Sequence, residues 1–230
     1  MFGRIMTVQS RIGNGEKTSR WRTIGSSLTA AAVVCADLWL VWSGRTYSIG
    51  MRTVPPVVAL ASYSLLFRGD LTAMGLQFRP IQGLRYWVIA TTVIGAAIGA
   101  FLLLAVVAAL ITGYPIRVYE IRPPDLWMMF IQMCVLAPIL EEATYRFGLC
   151  AGLVPVLRPW GTILVSGMIF GVLHFLYGNP GPDNLIAGYF LAWAYLKSGT
   201  IVVPVVLHSL GNLCVVVMHF GTWYWQHGPI

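Results

Sequence analysis

The run from Trp87 to Thr112 carries no charged residue and is apolar along almost its whole length. About 20 consecutive apolar residues form a helix that is long enough to cross the hydrocarbon core of a bilayer. Inside that core every backbone polar group needs a partner within the protein, and only helices and closed barrels provide one. The run therefore predicts a transmembrane helix and argues against a soluble globular fold.

The rest of the composition agrees with a chain of many membrane spans. Of the 230 residues, 57% are hydrophobic and only 10% are charged, whereas an ordinary soluble domain is about 25% charged. We predict an all-α fold, a polytopic transmembrane helical bundle of about seven to eight spans. The candidate spans are 25–42, 54–67, 86–112, 126–150, 160–177, 184–197 and 199–219.

The placement of the basic residues predicts the orientation. With the N-terminus in the cytoplasm, the inner segments hold ten lysines and arginines, and the outer segments hold four, Arg45, Arg52, Arg117 and Arg122. This asymmetry follows the positive-inside rule, and we predict a multi-pass protein of the inner (cytoplasmic) membrane. The net charge of +7 is spread between apolar runs. We therefore expect the lipid bilayer, and no nucleic acid, as a partner.

Three charged residues interrupt the fourth predicted span, which makes them candidates for function. Glu141 and Glu142 are adjacent, and Arg146 follows Glu142 by four residues. Residues four apart share a helix face, so Glu142 and Arg146 are expected to pair. Glu141 is rotated by about 100° on the same helix and points at a different neighbour. Ionised side chains at the centre of a membrane helix cost at least ~2.5 kcal/mol each, so chains that retain them usually use them.

Further polar residues occur on the later spans. His174 follows Phe170 by one helical turn, and Phe170 is expected to shield the imidazole from lipid. His208 and Asn212 are four residues apart, so both polar groups share one face and offer hydrogen-bond donors suited to an oxyanion hole. Each of these also has a purely structural interpretation as hydrogen-bonding between helices. For Asp37 in the first span, we favour such a role as the partner of a polar group on a neighbouring helix.

The combination of these residues favours hydrolysis without a covalent nucleophile. A carboxylate beside a histidine can deprotonate a water molecule near neutral pH. No serine has the surroundings of a nucleophile elbow, and no cysteine lies in a reactive setting. A zinc site is the open alternative, because Glu141, His174 and His208 form a two-histidine, one-glutamate ligand set. The sequence does not separate the two chemistries.

The motifs resemble those of a known family. Glu-Glu-x-x-x-Arg at 141–146, Phe-x-x-x-His at 170–174 and His-x-x-x-Asn at 208–212 follow one another on successive segments. This order resembles the CPBP intramembrane proteases, the family of the type II CAAX prenyl endopeptidase and its bacterial relatives. The resemblance covers roughly residues 123–217.

The resemblance implies an intramembrane endopeptidase that cleaves a membrane-associated protein or peptide. In such an enzyme Glu141 and His174 would activate the attacking water, and His208 and Asn212 would form the oxyanion hole. Glu142 and Arg146 would support the site. No cofactor is required on the preferred interpretation, and Zn²⁺ is the alternative, since the family has been described both as glutamate-dependent proteases and as metalloproteases.

These inferences divide the chain into four segments. We predict a basic cytoplasmic N-terminal tail (1–24), transmembrane scaffold helices (25–122), a catalytic helical core (123–219) and a C-terminal tail (220–230). The alternative function is a catalytically silent membrane scaffold or regulator of the same fold. A proton- or ion-coupled transporter would predict inverted repeats, and the sequence has no obvious internal repeat.

Overall fold

The structure is a computed structural model that describes residues 20–45, 48–70, 76–113, 121–179 and 182–228. These residues are almost entirely helical, and their only sheet-like pairing is a single antiparallel bridge between Leu76 and Thr200. The segments are α1 Arg20–Trp42, α2 Ile49–Arg52, α3 Val54–Leu66, α4 Leu84–Thr112, α5 Pro123–Phe130, π1 Ile131–Leu136, α6 Ala137–Glu142, π2 Ala143–Cys150, α7 Ala151–Leu176, α8 Pro182–Ser198 and α9 Val202–His227. The predicted all-α class is confirmed.

The predicted number of spans is not confirmed. Four helical stretches among the described residues are long and apolar enough to cross a membrane: Arg20–Trp42, Ile49–Leu66, Pro123–Leu176 and Val202–His227. The predicted spans 126–150 and 160–177 both lie in the third stretch. The predicted span 184–197 corresponds to α8, whose 17 residues reach only about 25 Å at ~1.5 Å per residue, less than a bilayer core of about 30 Å.

Helix α8 is better explained as a core element of the fold. Its residues Leu191, Ala192, Ala194, Tyr195 and Leu196 are all buried. This second half is apolar because it packs against protein, whereas Leu185 and Ile186 nearer the start of the helix are exposed. Packing within the protein thus accounts for part of the apolar sequence of α8.

The ends of the chain also differ from the predicted segments. Helix α1 begins at Arg20, and the rest of the predicted tail 1–24 lies outside the described residues. Helix α9 continues through His227, so most of the predicted C-terminal tail 220–230 is helical.

The chain forms two compact units. The first comprises Met1–Ile81 and Ala137–His208, and the second comprises Gln82–Leu136 and Ser209–Ile230. In the first unit, one core cluster joins π2, α7 and α8 through Cys150, Val154, Ile163, Ala192 and Tyr195. In the second unit, Ile121, Cys134 and Val216 form a smaller cluster.

A break at Arg158 folds the first unit back on itself. Arg158 has φ 58° and ψ 172°, far from helical values. The following Pro159 explains the break, because a proline ring disfavours helical geometry in the residue before it. The second half of α7 therefore packs against π2. Glu141 and His174 lie at similar distances along the chain from this break, so the fold brings them to one level.

Glycine allows a close contact between helices of the first unit. A Cβ atom at Gly152 would lie 2.4 Å from the backbone oxygen of Ser26, 2.7 Å from the Cβ of Ala30 and 2.7 Å from the hydroxyl of Tyr63. Helices α1 and α3 thus approach α7 at a distance that only glycine permits. The Tyr63 hydroxyl also donates a 2.6 Å hydrogen bond to the Gly148 carbonyl, which ties α3 to π2.

Replacing Gly152 with alanine should destabilise the protein. The added methyl group would overlap backbone that cannot move freely, and overpacking of this kind typically costs about 1–3 kcal/mol. Thermal unfolding of the purified protein in detergent measures the effect. Gly221→Ala is the control, because its added Cβ would have no neighbour within 4 Å among the described residues, apart from its adjacent residues and the backbone of its own helix. Equal melting temperatures for the two variants would contradict this packing.

Candidate active site

Helix α6 carries the two adjacent glutamates and lies between two π-helical segments. Glu141 is 5% exposed and Glu142 is fully buried. The wider turns of π1 and π2 before and after α6 were not predicted from the sequence, which reads as one continuous apolar helix. Such π segments are rare and occur frequently at functional sites.

Glu142 and Arg146 form the ion pair that their spacing predicts. The Arg146 Nε lies 2.9 Å from the Glu142 Oε2, and both side chains are fully buried. The Arg146 guanidinium carbon also lies 4.8 Å from the centre of the Phe170 ring. Its Nη1 donates a 3.4 Å hydrogen bond to the Ser166 hydroxyl. Arg146 therefore joins π2 to α7 from inside the protein.

Glu141 contacts three different groups. Its Oε1 lies 3.2 Å from a guanidinium nitrogen of Arg52. Its Oε2 lies 3.4 Å from the His174 Nε2 and 3.8 Å from the His208 Nε2. The sequence predicted a carboxylate that points away from Arg146, and this is confirmed. Arg52 holds Oε1, a contact that the sequence did not predict.

The hydrogen bonds of the histidines fix which nitrogen carries a proton. The His174 Nδ1 lies 2.9 Å from the Phe170 carbonyl oxygen, and because a carbonyl only accepts, Nδ1 must donate. The His208 Nδ1 lies 2.9 Å from the Glu142 Oε1, an oxygen of the carboxylate that pairs with Arg146. This nitrogen also donates, so in both neutral rings Nε2 has a free lone pair.

Three acceptor atoms therefore converge when both rings are neutral. The Glu141 Oε2 faces the Nε2 atoms of His174 and His208, and this oxygen has no hydrogen-bond donor among the described residues. A buried acceptor without a donor is unfavourable by about 1–3 kcal/mol. A water molecule, an added proton or a cation at this point would remove the conflict.

The surrounding charges also favour one additional positive charge. When ionised, the acids Asp37, Glu141 and Glu142 exceed the guanidinium groups of Arg52 and Arg146 by one negative charge. One further cation would balance the charge of the cluster.

Phe170 lies against both histidines. Its ring centre is 4.1 Å from that of His174, with 30° between the planes, and 6.1 Å from that of His208. Phe170 is 1% exposed. The predicted contact between Phe170 and His174 is confirmed, and the ring fills the space behind both imidazoles.

Asn212 belongs to the second unit. Its amide donates a 2.6 Å hydrogen bond to the carbonyl oxygen of Met133, which lies in π1. One of its two N–H groups is thus committed to the backbone. Its predicted role beside His208 in an oxyanion hole stays a prediction.

Asp37 has the structural role that the sequence suggested. The Tyr145 hydroxyl donates a hydrogen bond to the Asp37 carboxylate, and the hydroxyls of Tyr145 and Tyr177 lie 3.0 Å apart. Burial, and then the Asp37 carboxylate, raise the pKa of Tyr177, so this hydroxyl stays protonated. The Tyr177 ring lies 5.4 Å from the Arg52 guanidinium, which places the group beside the site.

The zinc alternative has residues of the right ligand type, but they do not form a complete metal-binding group. Glu141, His174 and His208 are a ligand set that zinc accepts, and two zinc ligands at ~2.0 Å in a tetrahedron lie about 3.3 Å apart. The Glu141–His174 separation of 3.4 Å is close to this value. However, no three His, Cys, Asp or Glu side chains in the described part of the chain form a complete metal-binding group.

Arg52 is the site residue that sequence reasoning missed. It was counted only as one of the basic residues of an outer segment. It lies 89 residues before Glu141 and has no motif spacing to either histidine. The one available signal was an arginine immediately before the apolar helix α3, and many membrane helices have such a residue.

A comparison with protein families agrees with the motifs. Residues 123–214 match the family model described as type II CAAX prenyl endopeptidase Rce1-like. The matched segment is less than half of the chain. None of the curated proteins and none of the solved structures that were compared with the chain matches it. Over residues 123–214, the chain is therefore similar to the type II CAAX prenyl endopeptidase Rce1-like family.

Proposed function

We propose that the protein is an intramembrane endopeptidase that hydrolyses a peptide bond of a membrane-associated protein or peptide. The observation that carries this proposal is the convergence of the Glu141 Oε2 with the Nε2 atoms of His174 and His208. A water molecule between these atoms would donate to Glu141 and to a histidine at once. Its oxygen would then be polarised for attack on a carbonyl carbon.

The reaction is a general base hydrolysis. Glu141 takes a proton from the water while the water oxygen forms a bond to the carbonyl carbon of the substrate. His174, whose Nδ1 is fixed on the Phe170 carbonyl, presents its Nε2 to the same water and orients it. When the tetrahedral intermediate collapses, the C–N bond breaks. The proton held on Glu141 passes to the departing amine.

His208 is proposed to stabilise the oxyanion. Its Nδ1 donates to Glu142, so it offers an Nε2 donor only when the ring is protonated. The extra negative charge of the cluster favours that protonated form. Asn212 is the second donor that the family resemblance implies.

Glu142, Arg146 and Phe170 support the reacting groups. The Glu142–Arg146 pair is fully buried, and Glu142 uses its other oxygen to hold the His208 ring. Phe170 packs on His174 and limits its movement. Catalytic geometry needs such support because misplacement by about 1 Å costs on the order of 10²-fold in rate.

A metal enzyme is the alternative mechanism at the same residues. Glu141, His174 and His208 would hold Zn²⁺, since their three converging acceptors meet its preference for nitrogen and oxygen ligands. When bound, the ion would act as a Lewis acid and lower the pKa of a water molecule. The roles of Glu142, Arg146 and Phe170 in orienting the ligands would be unchanged.

The proposed location is the inner (cytoplasmic) membrane with a cytoplasmic N-terminus. The apolar helices and the excess of basic residues in the predicted inner segments support this orientation. A prenylated substrate is not required by the proposal, because the site residues act on a peptide bond and not on a lipid.

The competing function is a catalytically silent scaffold or regulator. A scaffold has no need for two histidines, two glutamates and two arginines around one buried point. Such a cluster is also an expensive way to join helices, because buried ion pairs are often no more stabilising than apolar packing. The arrangement therefore favours an enzyme.

Removing either half of the water-activating pair should abolish cleavage. Glu141→Gln and His174→Ala are expected to lower kcat/KM by about 10²–10⁴-fold, the usual contribution of general base catalysis. The assay is cleavage of a library of lipid-anchored peptides by the purified protein in proteoliposomes, with products identified by mass spectrometry. Asp125→Asn is the control, because its carboxylate pairs only with the exposed Arg122 among the described residues. A correctly folded wild-type protein that cleaves nothing would favour the scaffold.

A chelator separates the two mechanisms. On the preferred mechanism, wild-type activity persists after dialysis against EDTA, because Glu141 and His174 activate water without a metal. The measurement is the same cleavage assay together with the metal content of the protein. Loss of activity that returns on addition of Zn²⁺ would instead establish the metalloprotease.

Breaking the buried ion pair should destabilise the fold. Glu142→Gln leaves Arg146 without its counter-ion inside the protein, which costs about 3–5 kcal/mol. Adding Arg146→Met to this variant removes the uncompensated charge and should recover part of the loss. Thermal unfolding in detergent compares both with Asp125→Asn, whose exposed pair contributes at most about 1 kcal/mol. A single Glu142 variant as stable as wild type would show that the pair is not structural.

A further inference from the structure

Arg52 approaches the proposed reacting carboxylate from outside the family domain. It is the last residue of α2 and lies well before the matched residues 123–214. Its side chain is 18% exposed, and the Glu141 side chain that it contacts is 6% exposed. The ion pair is thus largely removed from solvent and is stronger than a pair at the surface.

The contact involves only one oxygen of Glu141. A guanidinium nitrogen of Arg52 lies 3.2 Å from Oε1 and donates a hydrogen bond to it. The other oxygen, Oε2, is the one that faces His174 and His208. Without a partner, the terminal torsion of a glutamate is broad and roughly two-fold. Holding Oε1 therefore determines the direction in which Oε2 points.

Aromatic and acidic side chains on the far side of Arg52 keep it in place. Its guanidinium carbon lies 5.4 Å from the centre of the Tyr177 ring, a distance at which a cation and an aromatic face attract each other. The Tyr177 hydroxyl is in turn 3.0 Å from that of Tyr145, which donates to Asp37. Residues of α1, α2, π2 and the end of α7 thus join in one connected network.

We propose that Arg52 is a positioning residue for the peptidase reaction. It holds the Glu141 Oε1 and thereby turns Oε2 towards the two histidines. This inference rests on the proposed function. It assigns a part of the active site to the N-terminal half of the chain, where the family motifs have no counterpart.

The test is the kinetics of Arg52→Gln in the lipid-anchored peptide assay. Because the residue acts on the reacting carboxylate and not on the substrate, kcat should fall by on the order of 10²-fold with little change in KM. Arg52→Lys keeps the charge but lacks the planar fork and should recover part of the lost kcat. In a Glu141→Gln background, Arg52→Gln should have no further effect. Arg45→Gln, a change at an exposed arginine over the Trp39 ring, is the matched control.

Several outcomes would overturn the inference. These are a wild-type kcat for Arg52→Gln, a loss that lies wholly in KM, or an equal loss in the Glu141→Gln background. If Arg52→Gln does not fold, the kinetics of Arg52→Lys are the test. A lowered kcat at unchanged KM supports the inference, and wild-type kinetics overturn it. An inactive wild-type protein would instead contradict the proposed function itself.

Discussion

An ionised carboxylate among apolar helices needs cations or hydrogen-bond donors around it, because neither lipid nor apolar side chains replace its hydration. Glu142 meets this need with Arg146 on one oxygen and His208 on the other. Since the three residues come from α6, π2 and α9, satisfying one charge fixes the relative positions of three chain segments within the first unit. The arrangement of the rest of the site follows from this interaction.

With Glu142 fully occupied, Glu141 is the carboxylate that the proposed reaction uses. The break at Arg158 returns α7 past π2 and brings His174 to the same level as the glutamates. Each histidine is held at Nδ1 by a different acceptor, a backbone carbonyl for His174 and a carboxylate for His208. The common result is two Nε2 atoms directed at one carboxylate oxygen. The site is preorganised because its supporting bonds are made by groups that do not take part in the reaction.

The sequence predicts those parts of the molecule that depend on local spacing. The helices follow from the long apolar runs, and the Glu142–Arg146 pair and the contact of Phe170 with His174 follow from residues one turn apart on a helix. The number of membrane spans does not follow from such spacing, because half of α8 is apolar for packing within the protein, and its 17 residues are fewer than the ~20 that a span needs. The π segments beside α6 have no distinctive residue pattern. Arg52 could not be assigned either, since its role depends on a contact between helices that are distant in sequence.

The central claim is that Glu141 and His174 act on one water molecule. A double-mutant cycle on kcat/KM in the reconstituted cleavage assay tests it most directly, with Glu141→Gln, His174→Ala and the double variant compared with wild type. Residues that act as one catalytic unit are strongly non-additive. The account predicts that the double variant is no slower than the slower single variant. Losses that multiply would show that the two residues contribute independently and would contradict the shared water.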